Sequence, residues 1–407
     1  MIKEQEYQLL VQYLLAAYRD ARRHKAGTNN CIRFGMNREE EICELAQVIL
    51  ERRYAPRPSI CFLVTSPVMR EVVAADFRDR IVHHLIFNFL NPYMERLLIY
   101  DCYSCRKGKG TDFGVNRLEH HIRSCSRNYT RKCWVLQLDI SGYFMSIDRA
   151  KLHSMACELM VFIGSKHNRY DRQLRDTLLY QWVYYLMELV IYHDPLQGCD
   201  YRDPERLFEQ LPHSKSLRYS PPGFGLPIGN LTSQLFSNLY MNEFDHFVKR
   251  QLKVKHYGRY VDDSYYVDTN PERLLSYVPL ANEFLRRELG INLNLGKTKL
   301  TEASCGVAFL GVYLKPHRRY LKRQTLRRMR LQVDYMKGVP KRRLLDHAMR
   351  DQLLASANSY LGVLGHTASF QIAQTLFDSY PMFQFADATR WMTKFIESND
   401  KVSMLAN

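Results

Sequence analysis

Apolar side chains recur at helical spacing over 4–20 (EQEYQLLVQYLLAAYRD) and again over 39–52, which predicts helices at the start of the chain. The period then changes. In RPSICFLVTSPVMREVVAADF two short extended segments flank Ser66-Pro67, the pattern of a hairpin with a break. Helical spacing returns in RDRIVHHLIFNFLNPYMERLL, and residues 104–114, SCRKGKGTDFG, read as a basic, glycine-containing loop. CWVLQLDI is a strand, followed by the turn SGYF and a helix from about Asp148. Between 166 and 222 an apolar helix adjoins a loop rich in Pro, Asp and Ser. GLPIGNLTSQLFSNLYMNEFDHFVKRQL is a glycine-punctuated turn entering a long amphipathic helix. HYGRYVDDSYYVDT sets aromatic and β-branched residues around two aspartates, which predicts a hairpin with acids at its tip. A helix over 282–290, a Gly-Lys turn and the strand VAFLGVYL follow. Farther on, Leu326, Met329, Val333 and Met336 share one helical face, with Arg327, Arg328 and Arg330 elsewhere around it. Strands and helices interleave without a regular βαβ series or an internal repeat, so the expected class is α+β.

Charge changes this picture more than composition does. The 407 residues hold 58 Lys and Arg against 42 Asp and Glu, a formal charge of +16. Thirteen of those cations lie in 315–350, against two acids. Such a surplus repels itself in a compact fold, and a polyanionic partner relieves it; a surface charged merely for solubility is the plainer alternative. The ten cysteines are scattered from Cys31 to Cys305, unlike a secreted disulfide framework. The N-terminus carries acids where a signal peptide has bases, and no uncharged run reaches membrane length. The expectation is a cytoplasmic protein with no membrane partner. Cys102-Tyr-Ser-Cys105 has zinc-knuckle spacing, but no second such pair follows. Trp182, Tyr184 and Tyr185 read as core in preference to a base-stacking surface.

Two places put aspartate at the end of an apolar strand: Asp139 after Val135-Leu136-Gln137-Leu138, and Asp262-Asp263 after Tyr260-Val261. Carboxylates suit hard cations such as Mg²⁺, which leave positions for water and phosphate oxygens. Two carboxylates from separate strands can hold two ions about 4 Å apart, one serving an attacking hydroxyl and the other a leaving pyrophosphate. Neighbours in a strand point to opposite faces, so Asp262 is expected as the main ligand beside Asp139, with Asp263 looser. Taken singly, Asp139 reads as a helix cap and Asp-Asp as a turn. Their co-occurrence with the glycine-rich segment between them reverses that balance.

LDISGYFMSID, GLPIGNLTSQ, RYVDD, LNLGKTKL and FLG stand in the order of the palm motifs of reverse transcriptases, and the chain resembles that family from roughly 65 to 335. Within it the sequence looks most like the enzymes of diversity-generating retroelements. The resemblance implies a right-hand polymerase: fingers over 1–130, palm over 131–320 with an insertion near 166–222, and a basic helical thumb over 321–407. The palm would be an antiparallel sheet backed by helices. It implies an RNA-directed DNA polymerase using two Mg²⁺, with Mn²⁺ as substitute. Asp139, Asp262 and Asp263 match the metal ligands, joined by the main-chain carbonyl of Ile140. Phe144 matches the gate that excludes a ribose 2′-hydroxyl, and Arg70 and Arg78 resemble the cations that hold the incoming triphosphate, a task suited to the fixed donor fork of Arg. Lys297, or in its place Lys299, matches the lysine that protonates pyrophosphate. Ile228, Gly229 and Gln234 fall beside the nucleotide, Gly229 allowing close backbone approach. Phe309, Leu310 and Gly311 match the primer grip.

Most relatives carry Pro-Gln-Gly and then Ser-Pro where this chain has Pro227-Ile228-Gly229 and Ser233-Gln234. Those departures favour the diversity-generating type over retron or group II intron enzymes. Isoleucine neither donates nor accepts, and a net hydrogen bond is worth about 0.5–1.5 kcal/mol, so its loss would raise misincorporation by up to roughly tenfold. By resemblance, errors would gather at template adenines; the plainer alternative is that Ile228 only packs under the turn. The implied partners are a template RNA, a DNA or RNA primer, dNTPs and a small basic accessory oligomer. An inactive RNA-binding relative is disfavoured by the intact Asp139, Phe144, Asp262 and Asp263.

Overall fold

A computed structural model describes residues 2–23, 25–65, 68–167, 173–338, 347–367, 370–377, 386–388 and 395–397. Three helices open the chain, α1 (Ile2–Arg22), α2 (Asn29–Met36) and α3 (Arg38–Leu50), and the apolar stripe of α1 buries Leu10, Leu14 and Ala17. β1 (Ile60–Val64) and β2 (Arg70–Ala74) form the expected antiparallel pair, Val64 opposite Arg70. The Ser66-Pro67 break lies outside the described residues. α4 (Phe77–Leu97) starts behind Asp76, whose carboxylate accepts the Arg78 N–H at 3.0 Å.

α5 (Thr111–Cys125) corrects the sequence reading: the basic loop ends at Gly110, and Gly114 lies buried within the helix beside Val115, Leu118 and Ile122. Glycine lowers helix propensity, and packing of that face outweighs it. β3 (Trp134–Leu138), α6 (Tyr143–Ser146) and α7 (Arg149–Gly164) follow, α7 being capped by the Asp148 side chain. Between 166 and 222, α8 (Leu178–Tyr192) precedes β4 (Asp200–Tyr201), which pairs parallel to β1, and α9 (Glu205–Phe208). Of the aromatic cluster in α8 only Trp182 is core; Tyr184 is exposed and Tyr185 lies under the Arg52 guanidinium at 4.4 Å. A fully buried tryptophan flanked by wetted tyrosines is what one face of a half-buried helix gives.

α10 (Leu231–His246) continues into a π-helical turn, Phe247–Gln251. β5 (His256–Tyr260) and β6 (Asp263–Asp268) make the predicted hairpin, and α11 (Pro271–Leu289) starts well before residue 282, with Pro271 where a missing N–H costs nothing. Beyond β7 (Lys299–Glu302), VAFLGVYL is not one strand. β8 (Val307–Phe309) and β9 (Val312–Lys315) pair antiparallel around a two-residue turn, Phe309 opposite Val312. Leu310 and Gly311 have φ of 44° and 88°, the left-handed pair that matches hairpin twist. β10 (Arg318–Leu321), α12 (Arg323–Gly338), α13 (His347–Gly365), α14 (Phe370–Phe377), β11 (Ala386–Ala388) and β12 (Phe395–Glu397) complete the described elements.

The four-stranded sheet has the order β5-β6-β3-β7; the smaller sheets among the described residues are β2-β1-β4, β10-β9-β8 and β11-β12. Contacts divide the chain into two compact units: Met1–Gly110, Gln137–Tyr265 and Ser276–Thr298 in one, Thr111–Leu136, Tyr266–Leu275 and Lys299–Asn407 in the other. Each gathers separate stretches, where the sequence suggests consecutive blocks. In the second unit Met329, Val333 and Met336 of α12 pack with Leu353, Leu361 and Phe377, and Leu326 lies against them, so the predicted stripe is the buried one. Among the described residues no helix is long and apolar enough to cross a membrane.

Candidate active site

Asp139 follows the last residue of β3, and its setting is fixed by the segment after α11. The Asn294 N–H donates to the Asp139 carbonyl at 2.8 Å and the Ser141 N–H to the Asn292 carbonyl at 3.0 Å. These bonds flank the antiparallel bridge of Ile140 with Leu293, which turns the Ile140 carbonyl to the opposite side. The same segment delivers Lys297: its ammonium donates to Asp139 Oδ2 at 2.7 Å. That bond, followed by the fields of Asp139, Asp262 and Asp263, holds the Lys297 ammonium above the ordinary lysine range. Lys299, the competing assignment, begins β7 as an exposed residue and has no ion pair among the described residues.

The acidic pair Asp262-Asp263 sits at the β5–β6 turn. Val261 takes φ of 56°, a left-handed conformation that β-branched residues avoid. A buried network holds it there. The Arg259 Nη1 donates to the Val261 carbonyl at 2.6 Å, and Ser104 Oγ accepts the Val261 N–H at 3.2 Å. Arg259 is itself gripped bidentately by Asp245 of α10, at 2.8 and 2.7 Å, with both side chains 0% exposed. Tyr257 donates to the same Asp245 at 2.7 Å, and Asn238 of α10 accepts from Ser104 at 3.0 Å. Helix α10 thus backs the sheet through polar as well as apolar contacts. Cys102 of the CxxC pair lies in this network, its thiol 3.5 Å from Asn238 and from Arg259. Reading the sequence did not single out Arg259, Asp245 or Ser104; the one signal was a charged residue in an otherwise aromatic strand.

The network leaves Asp262 in a half-buried turn and Asp263 exposed at the start of β6. Burial, then the charges of Asp263 and Asp139, push the Asp262 carboxyl up to about 7, against the lowering field of Arg70. Arg70 opens β2 as an exposed residue. Asp139, Asp262, Asp263, Lys297 and Arg70 therefore share one electrostatic neighbourhood. Among the described residues no three His, Cys, Asp or Glu side chains stand ready as a metal cage. The donors nonetheless suit a hard cation that keeps water and substrate oxygens as its other ligands, and burial and crowding that disfavour the charged form of Asp262 are what such a cation relieves.

Arg78 is not part of this neighbourhood. It is 5% exposed in the first turn of α4, where its Nη1 meets the Ala55 carbonyl at 3.4 Å and its guanidinium lies 5.5 Å from the Tyr54 ring. A helical position facing the core, not a strand position facing the cleft, is the reason.

The glycine-rich segment is stitched to β2. Val73 N–H donates to the Ile228 carbonyl at 2.8 Å and Ala75 N–H to Asn230 Oδ1 at 3.0 Å. Gly229 has φ of 132°, and a Cβ there would stand 2.9 Å from Val72 Cγ1, so the close approach the glycine permits is to β2 itself. Ile228 is half-buried and Gln234 exposed in the first turn of α10. Phe144, in α6, is half-buried with its ring 5.4 Å from Tyr143, and its carbonyl accepts the Leu226 N–H at 2.8 Å. In the other unit, Phe309 is buried, Leu310 and Gly311 form the β8–β9 turn, and the Gly311 carbonyl accepts the Lys322 N–H at 3.2 Å.

An antiparallel sheet ending in carboxylates, backed by helices and followed by a left-handed FLG turn, is the fold of right-hand polymerases. The chain belongs to the reverse transcriptase (RNA-dependent DNA polymerase) family, whose model matches residues 67–314. Among curated proteins none matches. Similar solved structures include apo telomerase from Candida tropicalis truncated from its C-terminal domain, at 11% identity and a TM-score of 0.47 over 69% of this chain and 59% of that one. Telomerase from Candida albicans in complex with a TWJ fragment of telomeric RNA aligns at 11% identity and a TM-score of 0.47, over 81% of this chain and 57% of that one. The chain thus spans less than two thirds of either.

Proposed function

We propose that the chain is an RNA-directed DNA polymerase that makes cDNA by nucleotidyl transfer to a primer 3′-hydroxyl. The observation that carries this reading is the 2.7 Å bond of Lys297 to Asp139, with Asp262, Asp263 and Arg70 near enough to act on the same charges. Asp139, Asp262, the Ile140 carbonyl and, more loosely, Asp263 would hold Mg²⁺ or Mn²⁺. When bound, the two ions supply positive charge to the attacking hydroxyl and the departing pyrophosphate. Arg70 then receives the triphosphate, Phe144 sets its ring against the sugar where a 2′-hydroxyl would project, and Lys297, held protonated, passes its proton to pyrophosphate. Fingers, palm and thumb over 1–130, 131–320 and 321–407 are the division this reading carries, with Phe309, Leu310 and Gly311 steadying the primer. The test is dNTP incorporation on poly(rA)/oligo(dT) with Mg²⁺. Asp262→Ala should lose ~10³-fold or more, and equal rates for variant and wild type would reject the reading.

Within the family the diversity-generating type fits best, a cytoplasmic enzyme working from a dedicated template RNA with a small basic accessory oligomer. Ile228 supports it: the side chain beside the nucleotide segment is half-buried and has no polar atom to restrain the nascent pair. Sequencing cDNA made by wild type and by Ile228→Gln tests this. The variant should show up to roughly tenfold fewer errors, with the difference concentrated at template adenines. Matching error spectra remove Ile228 from the account.

A further inference from the structure

Two basic loops of the second unit lie side by side, and the active-site chemistry uses neither. The loop after α5 carries Arg127, Arg131 and Lys132, and the β9–β10 hairpin carries Lys315 and Arg318; all five are exposed. The Tyr129 ring meets the His317 ring at 4.7 Å, edge to face, which joins the loop to the hairpin. Arg319 ties the hairpin to α5 from its other side, through Asn116 at 2.6 Å and Glu119. Glu119 is thereby neutralised, and the five exposed cations have no carboxylate partner among the described residues.

Neither loop has the form of slack surface chain. Arg127, Asn128 and Tyr129 hold φ of 48°, 56° and 68°, three consecutive left-handed residues with no glycine among them. The turn is pinned by Asn128 N–H to the Arg123 carbonyl at 2.7 Å, Arg131 N–H to the Ser126 carbonyl at 2.9 Å and Tyr129 N–H to Ser126 Oγ at 2.8 Å. In the hairpin, Lys315 stands directly opposite Arg318, and like charges so placed oppose pairing. Strain held in place by a hydrogen-bonded frame, and cations held against one another, both point to an anion that the surface receives.

We propose that Arg127, Arg131, Lys132, Lys315 and Arg318, around the Tyr129–His317 pair, form a docking surface for the phosphate backbone of single-stranded RNA outside the copied stretch. Spaced cations suit successive phosphates, and the exposed His317 ring suits stacking with an unstacked base. A protein partner would call for an apolar centre, and these loops have none. The inference takes RNA as the partner from the polymerase reading but does not need catalysis.

The test uses the full chain and two probes: a minimal poly(rA)/oligo(dT) duplex, and the same duplex with a long single-stranded RNA 5′ extension. Filter binding across a salt series is compared for wild type, Arg127→Gln/Arg131→Gln/Lys132→Gln and Lys315→Gln/Arg318→Gln. Each variant should bind the extended probe at least tenfold more weakly, with the slope of log affinity against log salt reduced by about 0.7 per lost contact. Affinity for the minimal duplex and incorporation on it should stay within twofold of wild type. Arg127→Lys/Arg131→Lys/Arg318→Lys, which keeps the charge, should retain most of the slope, separating charge from folding. Unchanged affinity and slope on the extended probe overturn the proposal. So do equal losses on both probes, which would place the surface in the primer-template channel, or a loss seen with a DNA extension and absent with RNA. Asp262→Ala in parallel separates the two ideas: normal rates there reject the polymerase reading, while salt-dependent binding through these loops stands on its own.

Discussion

The β5–β6 and β8–β9 hairpins solve one geometric problem in opposite ways. Both turn in two residues and both need left-handed backbone. The β8–β9 turn uses local chemistry, with Gly311 at φ of 88° and open space where a Cβ would be. The β5–β6 turn instead puts Val261 in the left-handed region and relies on Arg259, Ser104 and Asp245 to keep it there. The β8–β9 turn still places Leu310 left-handed, but its outside support among the described residues is a single main-chain bond, from the Lys322 N–H to the Gly311 carbonyl. A valine turn gripped at both its carbonyl and its N–H has little freedom, and Asp262 is the next residue. The contrast shows where this fold buys rigidity with a buried charge pair: at the carboxylate turn, not at the β8–β9 hairpin.

Breaking the pair should have the largest effect. Arg259→Met leaves Asp245 buried and unpaired, an expected loss of about 3–5 kcal/mol in chemical denaturation. Arg259→Met/Asp245→Leu should regain most of that stability, since apolar replacement of a buried pair is often neutral. Its kcat should stay depressed while KM changes little, because the Val261 carbonyl still lacks its donor. Recovery of kcat along with stability would show that Arg259 serves folding alone.

A buried carboxylate without such a partner sharpens the point. Asp79 accepts from Tyr54 at 2.8 Å and from the Arg57 N–H at 2.7 Å, while Arg78 stays 3.9 Å away. Burial pushes its carboxyl up to about 6. The folded value lies above the unfolded one, so the contribution of Asp79 is full below about pH 4 and fades as pH rises through about 6. Up to about 3 kcal/mol should be lost over that window, and Asp79→Asn should flatten this part of the stability–pH curve. An unchanged slope would discharge Asp79 from that role.

Smaller effects distinguish the turns themselves. Gly311→Ala meets no neighbour, so its cost should be backbone strain alone, about 1–2 kcal/mol. Val261→Gly removes the same strain and should change stability by under ~1 kcal/mol, since glycine's entropy offsets the relief. Incorporation should nevertheless slow. A Tm loss for Val261→Gly as large as that for Gly311→Ala would erase the distinction.

Much of this was legible in the residues, and the failures have physical causes. The acids at a hairpin tip, the opening helices and the apolar face of α12 followed from periodicity, because each element buries one continuous stripe. The start of α5 has the pattern of a loop because Gly114 and the polar residues before it mask a stripe that only packing reveals. VAFLGVYL looked like one strand because Leu310 sits left-handed, which no leucine signals by itself. Little in the sequence marks Arg259, because its partner Asp245 stands on another element and a buried pair has no period. Arg78 looked like a cleft cation because strand and helix N-terminus are adjacent in sequence, while only the first faces outward.

One consequence follows from the seam along β2. Arg70 begins that strand; the Val73 N–H within it donates to the Ile228 carbonyl, and the Ala75 N–H just beyond it donates to the Asn230 side chain. Whatever tugs on the arginine end is felt at the isoleucine, as two hands on one rail. On the proposed polymerase reading, with Arg70 at the triphosphate and Ile228 at the nascent pair, both ends of the nucleotide would be sensed through one strand, and softening the rail should blur both together.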